Sequence, residues 1–217
     1  CSSCCTVGVA AGAGISADSG LPTYRGIGGL YNGSATDEGF AIEDALSGEM
    51  LAMRPEITWK YIAQIEANCR GARPNAAHAT IAWLAGRTAV TVLTQNIDGL
   101  HRAAGTRDPT EIHGPLHRLC CTACDWRAEV ADYAGLAIPP ACPACGGLVR
   151  PEVVLFGEPL PPVAVQRLVR ALEEGFDLVF SIGTTSVFPY IAAPVAEALR
   201  RGVPTVSMPH AVARFFI

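Results

Sequence analysis

The sequence is poor in charge, has no dense basic run, and has no apolar stretch of membrane-spanning length. Only 17% of residues are charged against 50% apolar, and the formal net charge is −4. That balance excludes a self-repelling, disordered chain and predicts a packed core. Without clustered Lys and Arg, direct binding to a nucleic-acid backbone is not expected. No segment approaches the roughly 20 apolar residues a membrane helix needs, so no membrane partner is expected either. Residues Cys1 to Ala11 carry no basic segment of the secretory type and run soon into a Gly-rich turn, so they do not read as a secretory signal. Repeats at solenoid spacing and low-complexity tracts are absent. At 217 residues the chain has room for one substantial domain and a small satellite.

Cysteine, by contrast, is plentiful. There are nine, and an odd number argues against a simple disulfide framework. Cys121 and Cys124 form one C-x2-C pair, and Cys142 and Cys145 form another, with residues 125–141 between them. Such pairs place four thiolates on one tetrahedral ion, predicting a closed, structural zinc site with no open position for water. Buried thiols or disulfides are the competing reading. Cys120 adjoins the first pair but breaks its spacing. Metal-type spacing implies a reducing compartment, so a cytoplasmic location is expected.

Four short apolar runs read as strands: Thr6 to Ala11, Ala89 to Thr94, Asp177 to Ile182 and Val203 to Met208. Helical spacing occurs between them, in Ile57 to Cys69, in the stretch through Ile81 and Leu84 capped by Asn75, in Val163 to Leu172 and in Ile191 to Leu199. Strands alternating with helices predict an α/β fold, a parallel sheet with helices on both faces. Gly26 to Gly39 reads as a mobile loop. Leu116 to Val149, rich in Cys, Pro and Gly, reads as an inserted module.

Gly12-Ala13-Gly14-Ile15-Ser16-Ala17 follows the first strand, where a phosphate-binding turn belongs. Glycines there let backbone N–H groups approach a pyrophosphate. An ordinary strand–helix connection is the alternative. The acidic residue such a fingerprint requires further on is Asp37 or Glu38. Gln95, Asn96 and Asp98 follow the second strand, at the carboxyl end where parallel sheets bind ligands; Asp98 also suits a helix cap. His113 lies at the junction with the cysteine module, where clefts form.

These blocks resemble the Sir2, or sirtuin, family: GAGISADSGLPTYRG from Gly12, PNAAH from Pro74, TQNIDGLHRAAG from Thr94, IHG from Ile112, the Cys4 module, RPEVVLFGE from Arg150 and GTTSVFP from Gly183. They occur in the family's order. The resemblance implies a Rossmann-like NAD-binding domain in segments 1–25, 71–115 and 150–217, a loop and helical insertion at 26–70, and a zinc ribbon at 116–149. It implies NAD-dependent deacylation of protein lysine, releasing nicotinamide and O-acyl-ADP-ribose. Ala13, Gly14, Ile15, Asp18 and Arg25, with Gly12, would form the cofactor loop. Gln95, Asn96, Ile97 and Asp98 would surround the nicotinamide and its ribose, and Gly183, Thr184 and Thr185 would hold the cofactor. Val154, Phe156 and Gly157 would pair with the acyl-lysine peptide, with Val187 on its other side. His113 would be the general base, aided by Asn96 and Asp98. All of this requires His113 and the residues at 95, 96 and 98 to share one pocket with the glycine loop.

Some positions depart from the family pattern. Ala11 stands where Thr is usual. Ile62 and Ile65 stand where succinyl- and malonyl-preferring members carry Tyr and Arg, so apolar acyl groups are expected. Val206 to His210 replaces an Asn-containing segment, which weakens the expected grip on adenosine. The N-terminal helix and the final strand and helix of the family have no counterpart in the sequence. Mono-ADP-ribosyl transfer, a non-enzymatic NAD- or ADP-ribose-binding module and a zinc-ribbon interaction module are the competing functions. A monomer is expected.

Overall fold

The computed structural model describes residues 5–22 and 35–208. Arg25, most of the Gly26–Gly39 stretch, Pro209 and His210 lie outside them. The described strands are β1 (Thr6–Ala11), β2 (Ala89–Thr94), β3 (Thr110–Glu111), β4 (Arg118–Cys121), β5 (Arg127–Glu129), β6 (Val149–Pro151), β7 (Leu178–Ile182) and β8 (Thr205–Met208). The helices are α1 (Ile42–Ala45), α2 (Gly48–Met53), α3 (Pro55–Cys69), α4 (Ala76–Ala85), α5 (Leu100–Ala103), α6 (Pro162–Glu174) and α7 (Pro189–Arg200).

The main sheet has the order β3-β2-β1-β7-β8, and every pairing in it is parallel. Alternation along the strands supplies both faces. Val7, Val9, Ala11 and Val92 pack with Ile15 and with Ile81 of α4. Leu93 turns the other way, toward Ala164 and Leu168 of α6 and Ile191 of α7. The expected strand from Asp177 begins one residue later, because the Asp177 carboxylate and N–H close the sheet end against Thr6. The expected strand from Val203 begins at Thr205, after Pro204, which has no N–H for the ladder.

The helices α1 to α3 and the cysteine module, distant in sequence, share one core. Ile57, Trp59 and Ile62 of α3 pack with Leu119, Tyr133, Cys142 and Val149. Trp59 is wholly buried and its indole N–H donates to the Val149 carbonyl at 2.9 Å. Burying such a side chain contributes about 4–6 kcal/mol before ordering entropy is counted. Glu66 is also fully buried, and its charge is matched by Arg70 one turn on.

The register positions the site. Ala11 pairs with Thr94 on one side and Ile182 on the other, and Thr94 pairs with Glu111. The residues leaving these four strand ends therefore emerge side by side: Gly12, Gln95, Gly183 and the Ile112–His113 pair. The chain fills one side of β1 with β2 and β3 and then crosses to β7, so the topological switch lies between Gly12 and Gly183.

Candidate active site

The switch point is packed so tightly that its turn positions admit no side chain of their own. A Cβ on Gly12 would stand 2.4 Å from the Gln95 amide nitrogen, and one on Gly14 would stand 2.7 Å from the Gly183 Cα. Gly183 has φ +62 and lies against the Ile15 nitrogen, which only glycine allows. The Gly14 N–H donates to the Gly183 carbonyl at 2.8 Å. From Ala13 to Ser19 the chain winds as a 3-10 helix.

Two hydrogen-bonded chains rise from this floor. In the first, the Asn96 amide donates to the Gly12 carbonyl (3.1 Å) and to the Ser16 hydroxyl (3.2 Å), and Ser16 donates to Asp98 (2.7 Å). The other Asp98 oxygen accepts from the Leu100 N–H at 2.9 Å in the first turn of α5, whose N-cap is Gly99 rather than the expected Asp98. With both amide hydrogens of Asn96 engaged, its carbonyl oxygen is the side-chain group left for a ligand. In the second chain, the Gln95 side-chain amide donates to Thr184 (3.0 Å), and the Gln95 backbone carbonyl meets Nδ1 of His113 (3.0 Å). Thr184 also accepts from the Ser186 N–H at 3.0 Å, which leaves its own hydrogen to donate outward.

His113 stands where the required geometry placed it, joined through Gln95 to the glycine turn. A carbonyl only accepts, so the neutral ring carries its hydrogen on Nδ1 and presents a lone pair at Nε2. Burial pushes the imidazole below its ordinary value, partly offset by the Gln95 carbonyl. The next residue, Gly114, has φ +75 and would put a Cβ 1.8 Å from the Glu152 carbonyl, so this turn too is restricted to glycine.

Ala13, Gly14 and Ile15 line the turn, with Gly14 and Ile15 buried; Asp18 is exposed on its outer side. The Ile97 carbonyl accepts from Leu116 at 3.3 Å. Thr185 is exposed beside Thr184. Val154 donates its N–H to the His113 carbonyl, while Phe156 is bonded through both backbone groups to Leu46 and Gly48. For strand addition, Gly157 and the Val154 carbonyl are the free groups of this segment among the described residues. Asp37 and Glu38 turn away from the cofactor loop and bond to Lys60 at 2.7 and 2.8 Å. Sequence reasoning missed Tyr190, whose phenol lies 2.7 Å from Nε2 of His113. It also missed Ser16 as the link between Asn96 and Asp98, and Asn75 as a tether to the Ile15 carbonyl at 2.7 Å. Their signals were faint: Ser16 lies inside the GAGIS block, and Tyr190 directly follows the VFP tripeptide.

Behind Asp98, His78 and His101 stack edge to face with ring centroids 4.9 Å apart. Neither nitrogen of His101 has a hydrogen-bond partner among the described residues. Burial takes His101 from its usual 6.5 down to about 3, with His78 reinforcing it, and lowers His78 as well. Both rings are therefore neutral in the fold. Below pH 6.5 the unfolded chain binds protons that the folded chain refuses, so stability is complete above 6.5 and falls with acidification toward pH 3. The slope is about 1.4 kcal/mol per pH unit for each histidine so linked. Urea unfolding at pH 7.5 and 5.5 should show this loss, and His101→Phe should reduce the difference between the two pH values.

The four cysteines form a separate centre. Their sulfurs all lie within 4.8 Å of one another, with Cys121–Cys145 at 3.5 Å and Cys124–Cys142 at 3.7 Å. A tetrahedral zinc with Zn–S near 2.3 Å spaces its sulfurs about 3.8 Å apart, whereas a disulfide requires roughly 2.05 Å. The set fits zinc. Strand alternation sends Cys120 to the opposite face of β4 from Cys121, which removes it as a competing ligand.

A crevice floored by glycine at the switch point of a doubly wound sheet is where such sheets bind nucleotides, so the class is a nucleotide-binding α/β protein with a cysteine ribbon. The Sir2 family model matches residues 12–189, and the chain belongs to that family. It is 52% identical over 191 residues to a Pseudomonas syringae pv. tomato protein named NAD-dependent protein deacylase 2, across 86% of this chain and 77% of the relative. Its fold resembles a Sir2 homolog in complex with NAD, with TM-score 0.78 and 35% identity over 94% of this chain and 76% of that one. It also resembles Sir2Tm bound to a propionylated peptide, with TM-score 0.75 and 28% identity over 94% and 80%.

Proposed function

We propose that this chain is an NAD-dependent protein lysine deacylase in which His113 is the general base. The observation carrying this reading is that the base and the nucleotide turn share Gln95: its carbonyl orients the imidazole, and its side chain covers Gly12. The crevice suits the co-substrate in its chemistry: glycine at 12, 14 and 183 lets the turn pack closely on itself and on Gln95, and glycine turns that lead into a helix bring backbone N–H groups to a pyrophosphate. NAD supplies an electrophilic ribose carbon as nicotinamide departs. Asp98, oriented by Ser16, would hold the departing amide, and the Asn96 carbonyl and Thr184 hydroxyl would be available to the sugar. Neutral His113 then accepts the proton of the hydroxyl that attacks the transferred acyl group.

An acyl-lysine peptide is the substrate in this reading. It enters past Phe156, Val187 and Phe188, whose side chains are 37%, 77% and 40% exposed at the rim. Ile62 lies in the apolar core with Ile65 packed on it, so neither position offers a cation to an acidic acyl group. Acetyl and longer apolar groups are favoured. The reading extends to a monomer acting on protein rather than nucleic acid, and to the cytoplasm, where the four thiols held at metal-site spacing stay reduced. Mass spectrometry of an acetyl-lysine peptide incubated with the protein and NAD tests it. O-acetyl-ADP-ribose with free nicotinamide is expected. ADP-ribosylated protein would instead indicate transfer to a side chain, and no product would leave a binding module.

A further inference from the structure

The stretch from Val153 to Glu158 belongs to no strand of either sheet, yet its backbone is fixed in detail. One ion pair does most of the fixing. Arg150, on β6 of the cysteine module, forks onto both carboxylate oxygens of Glu158, with Nη2 at 2.8 Å from its partner. The same Nη2 donates to the Val153 carbonyl at 2.7 Å, and Nε donates to the Pro151 carbonyl at 3.2 Å. Glu158 in turn accepts from the Leu155 N–H at 2.8 Å, and its own N–H donates to the Leu155 carbonyl at 3.1 Å. The turn is thus wound about a single planar fork, a geometry that Lys cannot supply. Gly48, the first residue of α2, makes room for it, since a Cβ there would stand 2.8 Å from Cγ of Glu158. Burial alone would raise the Glu158 carboxylate, but Arg150 and the Leu155 N–H outweigh it and hold it below its ordinary value. The neighbouring cations are engaged elsewhere, for Arg118 and Arg127 both pair with Glu152.

With the Leu155 N–H taken by Glu158 and its side chain buried, the Val154 carbonyl and Gly157 are left for another chain. We propose that Arg150 and Glu158 are positioning residues for the peptide: their ion pair, carried on the cysteine module, holds residues 153–157 in the form that offers those backbone groups to an acyl-lysine strand. This rests on the deacylase reading, in which that segment pairs with substrate. It gives the metal centre a part in substrate binding. Strand β6 pairs with β4, placing Arg150 opposite Cys120 and Val149 opposite Cys121, so the fold of the ribbon sets where the guanidinium stands. The pair acts through backbone, so it governs peptide affinity rather than the chemical step.

The test is Glu158→Gln in the full chain, assayed with acetyl-lysine peptide and NAD. The amide keeps the shape and an acceptor for the Leu155 N–H but removes the charge. The peptide KM should rise about tenfold, while kcat and ADP-ribose affinity stay within about twofold and zinc stays near one equivalent per chain. Anisotropy of a fluorescein-labelled acetyl-lysine peptide should show the same loss of affinity without turnover. Native peptide affinity in the variant, or a loss confined to kcat, overturns the inference. Loss of zinc overturns it too, by making the pair a prop of the ribbon. If the native chain itself does not bind the peptide, the deacylase reading fails and the inference falls with it; if native chain and variant bind equally well, the positioning role alone fails. Should Glu158→Gln not fold, Arg150→Lys decides, because it keeps the charge and loses the fork. Its peptide affinity must fall, and native affinity there overturns the proposal.

Discussion

Alanine at position 113 should lower deacylation turnover by about 10²–10⁴-fold, the usual cost of losing a positioned base. Binding of ADP-ribose should change little, because the imidazole bonds to the Gln95 carbonyl and Tyr190 and makes no bond to the glycine turn. Calorimetric titration with ADP-ribose and chromatographic assay of an acetyl-lysine peptide separate the two effects. The native pH profile adds a second check. The base acts only when neutral, and burial holds His113 below its ordinary value. Activity should therefore be lost as pH falls through a value below the usual histidine range, and be flat around neutrality. A variant with near-native turnover would remove His113 from the reaction.

Loss of the metal should have the largest effect on stability. Structural zinc sites in small domains contribute about 10–16 kcal/mol of apparent binding energy near neutral pH. Here Cys121 and Cys142 are members of the core that holds Trp59, Leu119 and Val149. Cys142→Ser, or a strong chelator, should lower bound zinc from about one equivalent per chain to none and unfold this lobe. Red-shifted tryptophan emission would report Trp59 reaching water. Cys120→Ser should keep the zinc, since that side chain lies on the other face of β4. Equal zinc loss in both variants would contradict the assigned ligand set.

Much of the fold was readable because period and punctuation agree. The runs at Thr6 and Ala89 are strands over the same residues expected from sequence, and Asn75 caps α4 through its side chain as its position predicts. The cysteine pairs were legible because two ligands at x2 spacing are a local property. The sharing of a core between α3 and the cysteine module was not, since Trp59 and Val149 meet only in three dimensions. In the site, the residues on strand ends were found because parallel register carries each of them to the same edge. Tyr190 was not, because it reaches His113 from the first turn of α7, and nothing local distinguishes it from a core aromatic.

The segment from Val154 to Phe156 is fastened at two ends to different bodies. Val154 is tied to the His113 backbone on the sheet side, and Phe156 to Leu46 and Gly48 on the helical side. It ties the helical side of the molecule to the His113 backbone through a three-residue span. In the proposed reading, a peptide seated against this segment would bear on the same backbone bond that fixes His113.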